Sequence, residues 1–288
     1  MKIVHTVSEL QQIVANERRS GRTISFIPTM GALHEGHLSL VELAPEDSFV
    51  ILSIFVNPTQ FGKNEDFGRY PRTLEADLAK LTTQNKVDLV FVPEVSEVYP
   101  SGIPETLTPR AGAVGAVFEG VSRPGHFDGM LHVVNWFFNT VRPDLAIFGA
   151  KDAQQLFLIR RMVKREFESK ITIVEAPTVR ESDGLARSSR NRYLNAEARA
   201  VAPKIYEALG NLATDLASGA EPATALEEGR LALSAIPLAK LDYLALVDKS
   251  TFQPIAPSFS GEAQLIVAVV LDGVRLIDNL NLTIQGAA

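Results

Sequence analysis

The chain has 288 residues and no cysteine, 46% of it is hydrophobic and 22% charged, and its formal net charge is −6. This composition is that of a globular protein with one large or two modest domains, and the acidic balance argues against a general nucleic-acid-binding role. Without cysteine, disulfides and thiolate chemistry are excluded, as in many proteins of the reducing cytoplasm. No apolar run approaches the ~18 residues of a membrane span, and the first residues lack the apolar segment of a secretory signal. We therefore expect a cytoplasmic protein.

Strand-like and helix-like segments alternate through the first part of the chain. The predicted strands are Ile24–Thr29, Phe49–Asn57, Asp88–Pro93, Leu145–Gly149 and Ile171–Glu175. The predicted helices include Ser8–Arg18, Thr73–Gln84, with Thr73 as N-cap, Gly129–Val141 and Ala153–Phe167. Apolar strands separated by helices indicate a parallel sheet that is covered on both faces. We predict an α/β, Rossmann-like doubly wound domain over residues 1–176, with ligands beyond the carboxyl ends of its strands.

The pattern changes after Pro177. Asn195–Ser218 and Pro222–Ser234 are predicted helices, and Leu241–Val247, Ala263–Leu271 and Val274–Leu282 are predicted strands. Asp272–Gly273 lies between the last two strands and is typical of a hairpin turn. The sequence therefore predicts a smaller α+β C-terminal domain over residues 177–288.

The sequence PTMGALHEGH, residues 28–37, follows the strand at Ile24–Thr29 and leads into a helix-like run. His34 and His37 are three residues apart, so they share one face of the first helical turn. Free N–H groups and the positive dipole end at this terminus suit phosphate, and Gly36 permits close approach. This HxGH pattern is the signature of nucleotidyl-transferring α/β enzymes. Metal ligation and simple helix capping are the alternatives, although HExxH spacing is absent.

Two further clusters follow predicted strands. Gln60, in the segment Phe55–Gly62, has an amide that donates and accepts, which suits a hydroxyl and a carboxylate together, although a plain turn also fits. Lys151 and Asp152, in the segment Phe148–Gln155, offer a positive charge for phosphate and a carboxylate for ribose hydroxyls or a metal. A solvated Lys–Asp pair is the alternative there.

Two glycine-rich clusters complete the set. Phe118–Gly129 is charged and predicts an ordered surface loop or lid, which either contacts a ligand directly or is folded on itself. Gly184–Asn191 contains Arg187, Ser188, Ser189 and Arg190, whose two guanidiniums and two hydroxyls suit polyphosphate. A basic interdomain linker is the alternative, but the position at the head of the second domain favours a lid that closes over nucleotide.

In order and spacing, the chain resembles the pantoate–β-alanine ligases, members of the HxGH nucleotidyltransferase superfamily. The motifs are PTMGALHEGH, SIFVNPTQF, NEDF…YPRT, FEG…RPGHFDG, FG-KD-QQ and DGLA-SSRNRYL, and they span nearly the whole chain. The resemblance implies that pantoate attacks ATP to give pantoyl adenylate, which β-alanine converts to pantothenate. It also implies Mg²⁺ with ATP and a homodimer, with small-molecule substrates and no nucleic-acid or membrane partner.

The same resemblance implies roles for individual residues. The catalytic set is His34, His37 as proton donor, Lys151 and Arg190. The ATP-binding set is Met30, Gly31, Ala32, Leu33, His34, Glu35, Gly36, His37, Gly149, Ala150, Lys151, Asp152, Val179, Arg187, Ser188, Ser189 and Arg190. Gln60, Gln155 and Met30 would bind pantoate beside the apolar Val133–Val134, and Gln60 would also lie near β-alanine. The resemblance identifies no metal ligands.

The chain departs from the family pattern at three positions. Arg187 replaces a usually apolar residue, Trp136 stands where lysine is common, and Ala150 where glutamate is common. Three other functions compete with the ligase: an HxGH adenylyltransferase acting on a phosphate, a non-catalytic nucleotide-binding module, and a tRNA-charging enzyme. The last is disfavoured because the chain is short and lacks a basic anticodon-binding domain.

Overall fold

The computed structural model describes residues 1–62 and 65–285, which form two compact units. The first unit comprises Met1–Ala150 and Gln154–Pro177, and the second comprises Lys151–Ala153 and Thr178–Ala288. No helix among the described residues is long and apolar enough to cross a membrane.

The first unit is an α/β sheet domain. Its strands are β1 (Lys2–Val4), β2 (Ile24–Thr29), β3 (Phe49–Ile54), β4 (Leu89–Phe91), β5 (Leu145–Gly149) and β6 (Thr172–Ala176). Its helices are α1 (Val7–Arg19), α2 (Glu35–Glu42), α3 (Leu74–Gln84), α4 (Val95–Val98), α5 (Glu119–Ser122), α6 (His126–Val141) and α7 (Ala153–Glu166). Short 3₁₀ segments cover Pro58–Gln60, Asp66–Gly68 and Gly112–Ala116.

All strand pairs in this sheet are parallel, in the order β1-β4-β3-β2-β5-β6. From β2 the chain proceeds to β3 and β4 on one side, and later to β5 and β6 on the other. The strand order therefore reverses between β2 and β5, which is where doubly wound sheets bind ligands. The predicted Rossmann-like fold is confirmed.

Burial on both faces of the sheet explains why the strand sequences are continuous apolar runs. Every residue of β3 is buried, because helices cover both faces of a parallel sheet. On one face, α6 presents Phe137 and Phe138, whose ring centroids lie 5.4 and 6.5 Å from that of Phe26 on β2. These aromatic contacts fix α6 against the central strand.

Two strand predictions need correction. β1 was not predicted, because three residues are too few for a periodic signal; it pairs with β4 at the sheet edge. β3 ends at Ile54 rather than Asn57. The Asn57 side chain instead accepts a hydrogen bond from the Thr59 N–H at 3.3 Å, which starts the turn at Pro58–Gln60.

The predicted surface loop at Phe118–Gly129 is wrong. This segment forms α5 and the first turn of α6, and Glu119, His126 and Phe127 are buried. Gly129 explains the glycine-rich composition, because a Cβ there would lie 2.0 Å from the Thr59 carbonyl oxygen. Glycine thus lets α6 pack directly on the 58–60 turn.

The second unit is α+β. Its helices are α8 (Ala196–Val201), α9 (Lys204–Ala217) and α10 (Pro222–Ser234), and its strands are β7 (Ala239–Asp248), β8 (Gly261–Leu271) and β9 (Val274–Ile284). The strands form an antiparallel sheet in that order. Asp272 and Gly273 both have positive φ, 48° and 78°, so the predicted hairpin turn is present.

The single helix predicted over Asn195–Ser218 is two helices. α8 ends at Val201, and Pro203 occupies the N-cap of α9. Proline lacks an N–H and clashes with the preceding turn, so it is tolerated at a helix start and interrupts a continuous helix.

Candidate active site

The HxGH segment connects β2 to α2, beside the point where the strand order reverses. His34 is the N-cap of α2, and its Nδ1 accepts the Gly36 N–H at 3.1 Å. His37 Nδ1 accepts the His34 N–H at 3.3 Å, and the two ring centroids are 4.1 Å apart. The segment therefore brings both histidines together in the first turn, as predicted.

These contacts fix the protonation of the neutral rings. An imidazole whose Nδ1 accepts a hydrogen bond carries its proton on Nε2. Both neutral histidines are consequently Nε2–H donors, and both rings are half-buried. Helix capping and ligand binding are thus compatible, because capping uses Nδ1 and places the proton of each neutral ring on Nε2.

Asp77 on α3 holds the loop that precedes the histidines. Its carboxylate is 1% exposed and accepts the N–H groups of Ala32 and Leu33 at 2.9 and 2.8 Å. Thr73 lies at the N-cap of α3, but its hydroxyl donates to Asp77 at 3.3 Å instead of accepting a backbone N–H. Lys80 also donates to the Leu33 carbonyl. No local sequence pattern indicates this role of Asp77, because its backbone partners are 44 and 45 residues away in the chain.

The loop itself has an unusual backbone. Gly31 and Ala32 have φ of 77° and 50°. A Cβ on Gly31 would lie 3.0 Å from Ile54 Cγ2 and 3.2 Å from Asp77 Oδ2, so these tight contacts and the positive φ favour glycine. Met30 is half-buried, and Glu35 is exposed. The segment Met30–His37 thus forms one ordered turn into α2.

Gln60 is 8% exposed and is held at both ends of its amide. Its Oε1 accepts from Asn57 Nδ2 at 3.0 Å, and its Nε2 donates to Met30 Sδ at 3.1 Å. Asn57 is fixed in turn by the Tyr99 hydroxyl, which donates to Asn57 Oδ1 at 2.7 Å. Burial raises the pKa of Tyr99, so this hydroxyl stays neutral. Within the part of the chain that the structure describes, these contacts use one N–H and one lone pair of the Gln60 amide, so one of each is available for a ligand.

The structure distinguishes the adjacent glutamines of α7. Gln154 is buried, and its amide donates to the carbonyls of Val114 and Val117 at 2.7 and 2.9 Å. It also accepts the Glu119 N–H at 3.2 Å, so it orders the segment that leads to α5. Gln155 is half-buried. The sequence alone gave no sign of this structural role for Gln154.

Gly149 ends β5, next to β2, and a Cβ there would make only an ordinary contact with Leu40 of α2. Ala150 is buried, and its N–H donates to the Ala176 carbonyl at 2.8 Å. Alanine carries no charge that would have to be removed from water, so it suits this buried position.

In the second unit, Lys151 is held through its backbone. Its carbonyl accepts from Asn279 Nδ2 at 2.9 Å, and Asn279 Oδ1 accepts from Gln264 Nε2 at 2.8 Å. Lys151 Nζ lies 3.8 Å from Asp152 Oδ1, and the Lys151 side chain is 20% exposed. The backbone of Lys151 is therefore fixed to the β8–β9 sheet, while its ammonium keeps access to solvent.

A short hairpin in the same unit precedes the Ser–Ser–Arg sequence. The Arg187 N–H donates to the Val179 carbonyl at 2.9 Å, and the Glu181 N–H donates to the Leu185 carbonyl at 2.8 Å. The Ser188 hydroxyl then accepts the Arg190 N–H at 3.2 Å and begins a 3₁₀ turn over Ser189–Tyr193. The hairpin thus brings Val179, Arg187, Ser188, Ser189 and Arg190 together.

A buried ion pair anchors this hairpin. Arg180 donates twice to Asp278 of β9, at 2.6 and 2.9 Å, and its guanidinium lies 3.6 Å from the Tyr206 ring centroid. Arg187 pairs with Glu181 at 3.3 Å. The extra charge of Arg187 is therefore balanced within the hairpin.

Trp136 belongs to the first unit and lies on α6. Its ring stacks on that of Phe91, with centroids 6.3 Å apart. Trp136, which replaces the lysine common at this position, is half-buried and packs its ring on an aromatic residue of the sheet core.

Comparison with known proteins shows which family the chain resembles over nearly its whole length. The family model of pantoate-β-alanine ligase matches residues 2–281. A pantothenate synthetase from Leifsonia xyli subsp. xyli is 49% identical over 271 residues, which cover 94% of this chain and 92% of that protein. The crystal structure of pantothenate synthetase from Thermus thermophilus has a TM-score of 0.89 at 46% identity, covering 97% of this chain and 99% of that one.

A further solved structure carries ligands. It is a pantoate-β-alanine ligase from Francisella tularensis complexed with beta-gamma ATP and β-alanine, with a TM-score of 0.78, 35% identity and 97% coverage of each chain. With the family model matching almost the whole length and relatives near half identical, the chain belongs to the pantoate–β-alanine ligase family.

Proposed function

We propose that this chain condenses pantoate with β-alanine at the expense of ATP, using the two groups of residues described above. The observation that carries the assignment of residues is the pair of Nε2–H donors on His34 and His37, set at a helix N-terminus beside the strand-order reversal. Such donors suit phosphate oxygens whose negative charge increases during reaction. Relatives named for this reaction, and one that binds ATP and β-alanine, support the same substrates here.

The first step is attack of a pantoate carboxylate oxygen on the α-phosphorus of ATP. The new O–P bond forms as the bond to the bridging oxygen of pyrophosphate breaks, and that oxygen leaves with the electron pair. A carboxylate is already a nucleophile, so the step needs alignment and charge neutralisation rather than a strong base. His34 and His37 would donate to the phosphate oxygens, with His37 as the proton donor.

The second step is attack of the β-alanine amine on the acyl carbon of pantoyl adenylate. A C–N bond forms, the C–O bond to AMP breaks, and the amine loses a proton to solvent. Gln60, with its preset amide, would hold pantoate beside Met30 and Gln155 and lie next to the incoming amine. Water exclusion at this point protects the adenylate from hydrolysis.

Residues of the second unit would bind the nucleotide. Lys151, Arg190, Ser188 and Ser189 supply two cations and two hydroxyls for the triphosphate, with Arg187 beside them. Asp152 and the backbone of Gly149 would hold the ribose, and the backbone of Val179 would contact adenine. The Gly31–Gly36 backbone would face the phosphates.

Mg²⁺ is proposed to enter with ATP. Within residues 1–62 and 65–285 there is no group of three or more His, Cys, Asp and Glu side chains able to hold a metal ion. Mg²⁺ needs no such group, because it commonly binds phosphate oxygens, waters and only one or two carboxylates. Asp152, 47% exposed, is a carboxylate available for that purpose. Bound Mg²⁺ would neutralise triphosphate charge.

The family resemblance also leads us to propose a homodimer located in the cytoplasm. Light scattering on the purified chain, which has a mass of 31.4 kDa, tests the dimer directly. A mass of one chain at micromolar concentration would contradict it.

Isotope transfer tests the proposed reaction. With ¹⁸O in the pantoate carboxylate, the adenylate route leaves one labelled oxygen in AMP. Phosphorylated acceptors offered in place of pantoate test the competing HxGH adenylyltransferase. Unlabelled AMP, or turnover only with a phosphorylated acceptor, would overturn the proposal.

A further inference from the structure

His126, the first residue of α6, is a buried histidine to which the reaction above assigns no role. Its Nδ1 lies 2.8 Å from the backbone carbonyl oxygen of Gln60, 66 residues earlier in the chain. Its Nε2 lies 3.0 Å from Arg123 NH1. His126 therefore connects the glutamine proposed to bind pantoate with a guanidinium.

These two contacts allow one protonation state. Arg123 can only donate, so His126 Nε2 must accept and the ring proton must be on Nδ1. That proton is donated to the Gln60 carbonyl. A doubly protonated His126 would place two donors and two positive charges 3.0 Å apart, in a site with little access to water.

Charged groups from several segments hold Arg123 in place. Glu65 accepts from Arg123 Nε and NH2 at 2.9 and 2.7 Å, and Glu119 lies 3.7 Å from NH1. Arg123 NH2 also reaches the Gln60 carbonyl at 3.4 Å. Both lone pairs of that carbonyl thus face donors, and the paired acidic groups balance the guanidinium.

The same turn is held from its other side. Asn57 Nδ2 donates to the Gly129 carbonyl at 3.2 Å, and Thr59 lies against Gly129 with no room for a side chain. The position of Gln60 therefore depends on its backbone carbonyl as well as on its amide. A small shift of a binding group is enough to weaken recognition of a small ligand.

We propose that His126, as its neutral Nδ1–H tautomer held by Arg123, is a positioning residue that sets Gln60 for pantoate recognition. The inference rests on the proposed role of Gln60. Burial and the neighbouring Arg123 charge lower the pKa of His126 to about 4, against the opposing influence of Glu119 and Glu65, so the neutral form persists at physiological pH.

The test measures KM for pantoate and for ATP separately, by pyrophosphate exchange on the purified full chain. H126A is expected to raise the pantoate KM about tenfold, the usual effect of losing one buried hydrogen bond, and to leave the ATP KM within about twofold. Q60A serves as the reference for lost pantoate recognition. H5A is the control for loss of a histidine–carbonyl contact, because the exposed His5 Nδ1 lies 2.8 Å from the Val92 carbonyl oxygen, away from Gln60.

Two conservative variants, H126N and H126Q, distinguish loss of the hydrogen bond to Gln60 from loss of the side-chain volume of His126. In H126N the side-chain Nδ2 replaces the Nδ1 donor, so the pantoate KM should recover to within about threefold of wild type. In H126Q the amide reaches toward Arg123 and not Gln60, so the KM should stay high. H126F keeps an aromatic ring but has no hydrogen-bond donor. If H126A does not fold, H126F shows whether loss of the hydrogen bond to Gln60 raises the pantoate KM.

The outcomes are distinguishable. No pantoate-dependent exchange in the wild-type protein would overturn the proposed function and this inference together. With wild-type exchange intact, an unchanged pantoate KM in folded H126A or H126F would overturn the inference alone. Equal increases in both KM values, without recovery in H126N, would also overturn it, because they indicate a general structural role.

Discussion

In each histidine of the HxGH segment, the two ring nitrogens differ in their surroundings. Nδ1 accepts a backbone N–H at the start of α2, which caps the helix, and this contact places the proton on Nε2. In the proposed reaction, the cap therefore determines which nitrogen would donate to a phosphate. A residue that only capped the helix would be replaceable by any good N-cap.

Substituting asparagine for His34 separates the two purposes. Asparagine is among the best N-caps, so H34N should keep the thermal stability of the protein. It lacks the Nε2–H donor, so turnover should fall about 10²-fold, the usual effect of removing a transition-state donor. Calorimetry and steady-state kinetics measure the two effects. Wild-type turnover in H34N would show that capping is the whole role of His34.

His126 should make stability depend on pH. Its pKa is about 4 in the folded protein and near the usual 6.5 when unfolded. Below about pH 6.5 the unfolded chain binds a proton that the folded protein excludes, so the free energy of unfolding should decrease with falling pH, by about 3 kcal/mol in total near pH 4. Between pH 7 and pH 5, the free energy of unfolding measured in urea should decrease by about 2 kcal/mol more in the wild-type protein than in H126F. Equal losses would contradict the lowered pKa.

At the scale of elements, helices position the loops that contain the candidate site residues. α3 holds the Gly31–Leu33 turn through Asp77, and α6 contacts the 58–60 turn through Gly129. Neither contact involves a substrate-binding side chain. Both fix backbone segments at the carboxyl ends of β2 and β3, so packing within the first unit determines the geometry of the site.

A pair of glycine substitutions tests this packing. G129A would place a Cβ 2.0 Å from the Thr59 carbonyl oxygen, so it should cost about 1–3 kcal/mol of stability and raise the pantoate KM. G210A is the matched control, since Gly210 lies inside α9 with nothing within 4 Å of its Cβ position. It should stabilise the protein by about 0.5–1 kcal/mol, as measured by urea unfolding. A neutral G129A would refute the close contact.

The elements predicted correctly from the sequence are those whose hydrophobic pattern extends over several consecutive residues. β2 and β5 match their predicted bounds, and the HxGH histidines lie together because they share one helical turn. Asp77 and His126 were not predicted in their roles. Their partners are 44 to 66 residues away in the chain, and periodicity carries no information on such contacts. The surface loop predicted for residues 118–129 was wrong for a related reason, because Gly129 allows α6 to pack closely on Thr59, which is distant in the chain.

At the scale of the whole molecule, the candidate residues divide between two compact units. The imidazole and amide donors lie in the first unit, and the cations of Lys151 and Arg190 lie in the second. A polyphosphate substrate carries several negative charges, and cations that bind it stabilise the further charge of the transition state. We therefore expect the cations of Lys151 and Arg190 to be required for turnover.

K151A tests the contribution of the second unit. Removing the ammonium should lower turnover at least ~10²-fold, because the charge on the phosphates would be less well balanced. K170A is the control, since the Lys170 side chain is 73% exposed and pairs with Glu168. It should leave the steady-state rate unchanged. Near-wild-type turnover in K151A would remove Lys151 from the site.

Exchange of labelled pyrophosphate into ATP in the absence of β-alanine tests formation of pantoyl adenylate directly. We expect exchange that requires pantoate, because only reversible formation of pantoyl adenylate returns the label to ATP. No exchange by folded protein that binds ATP, or exchange that proceeds without pantoate, would contradict it.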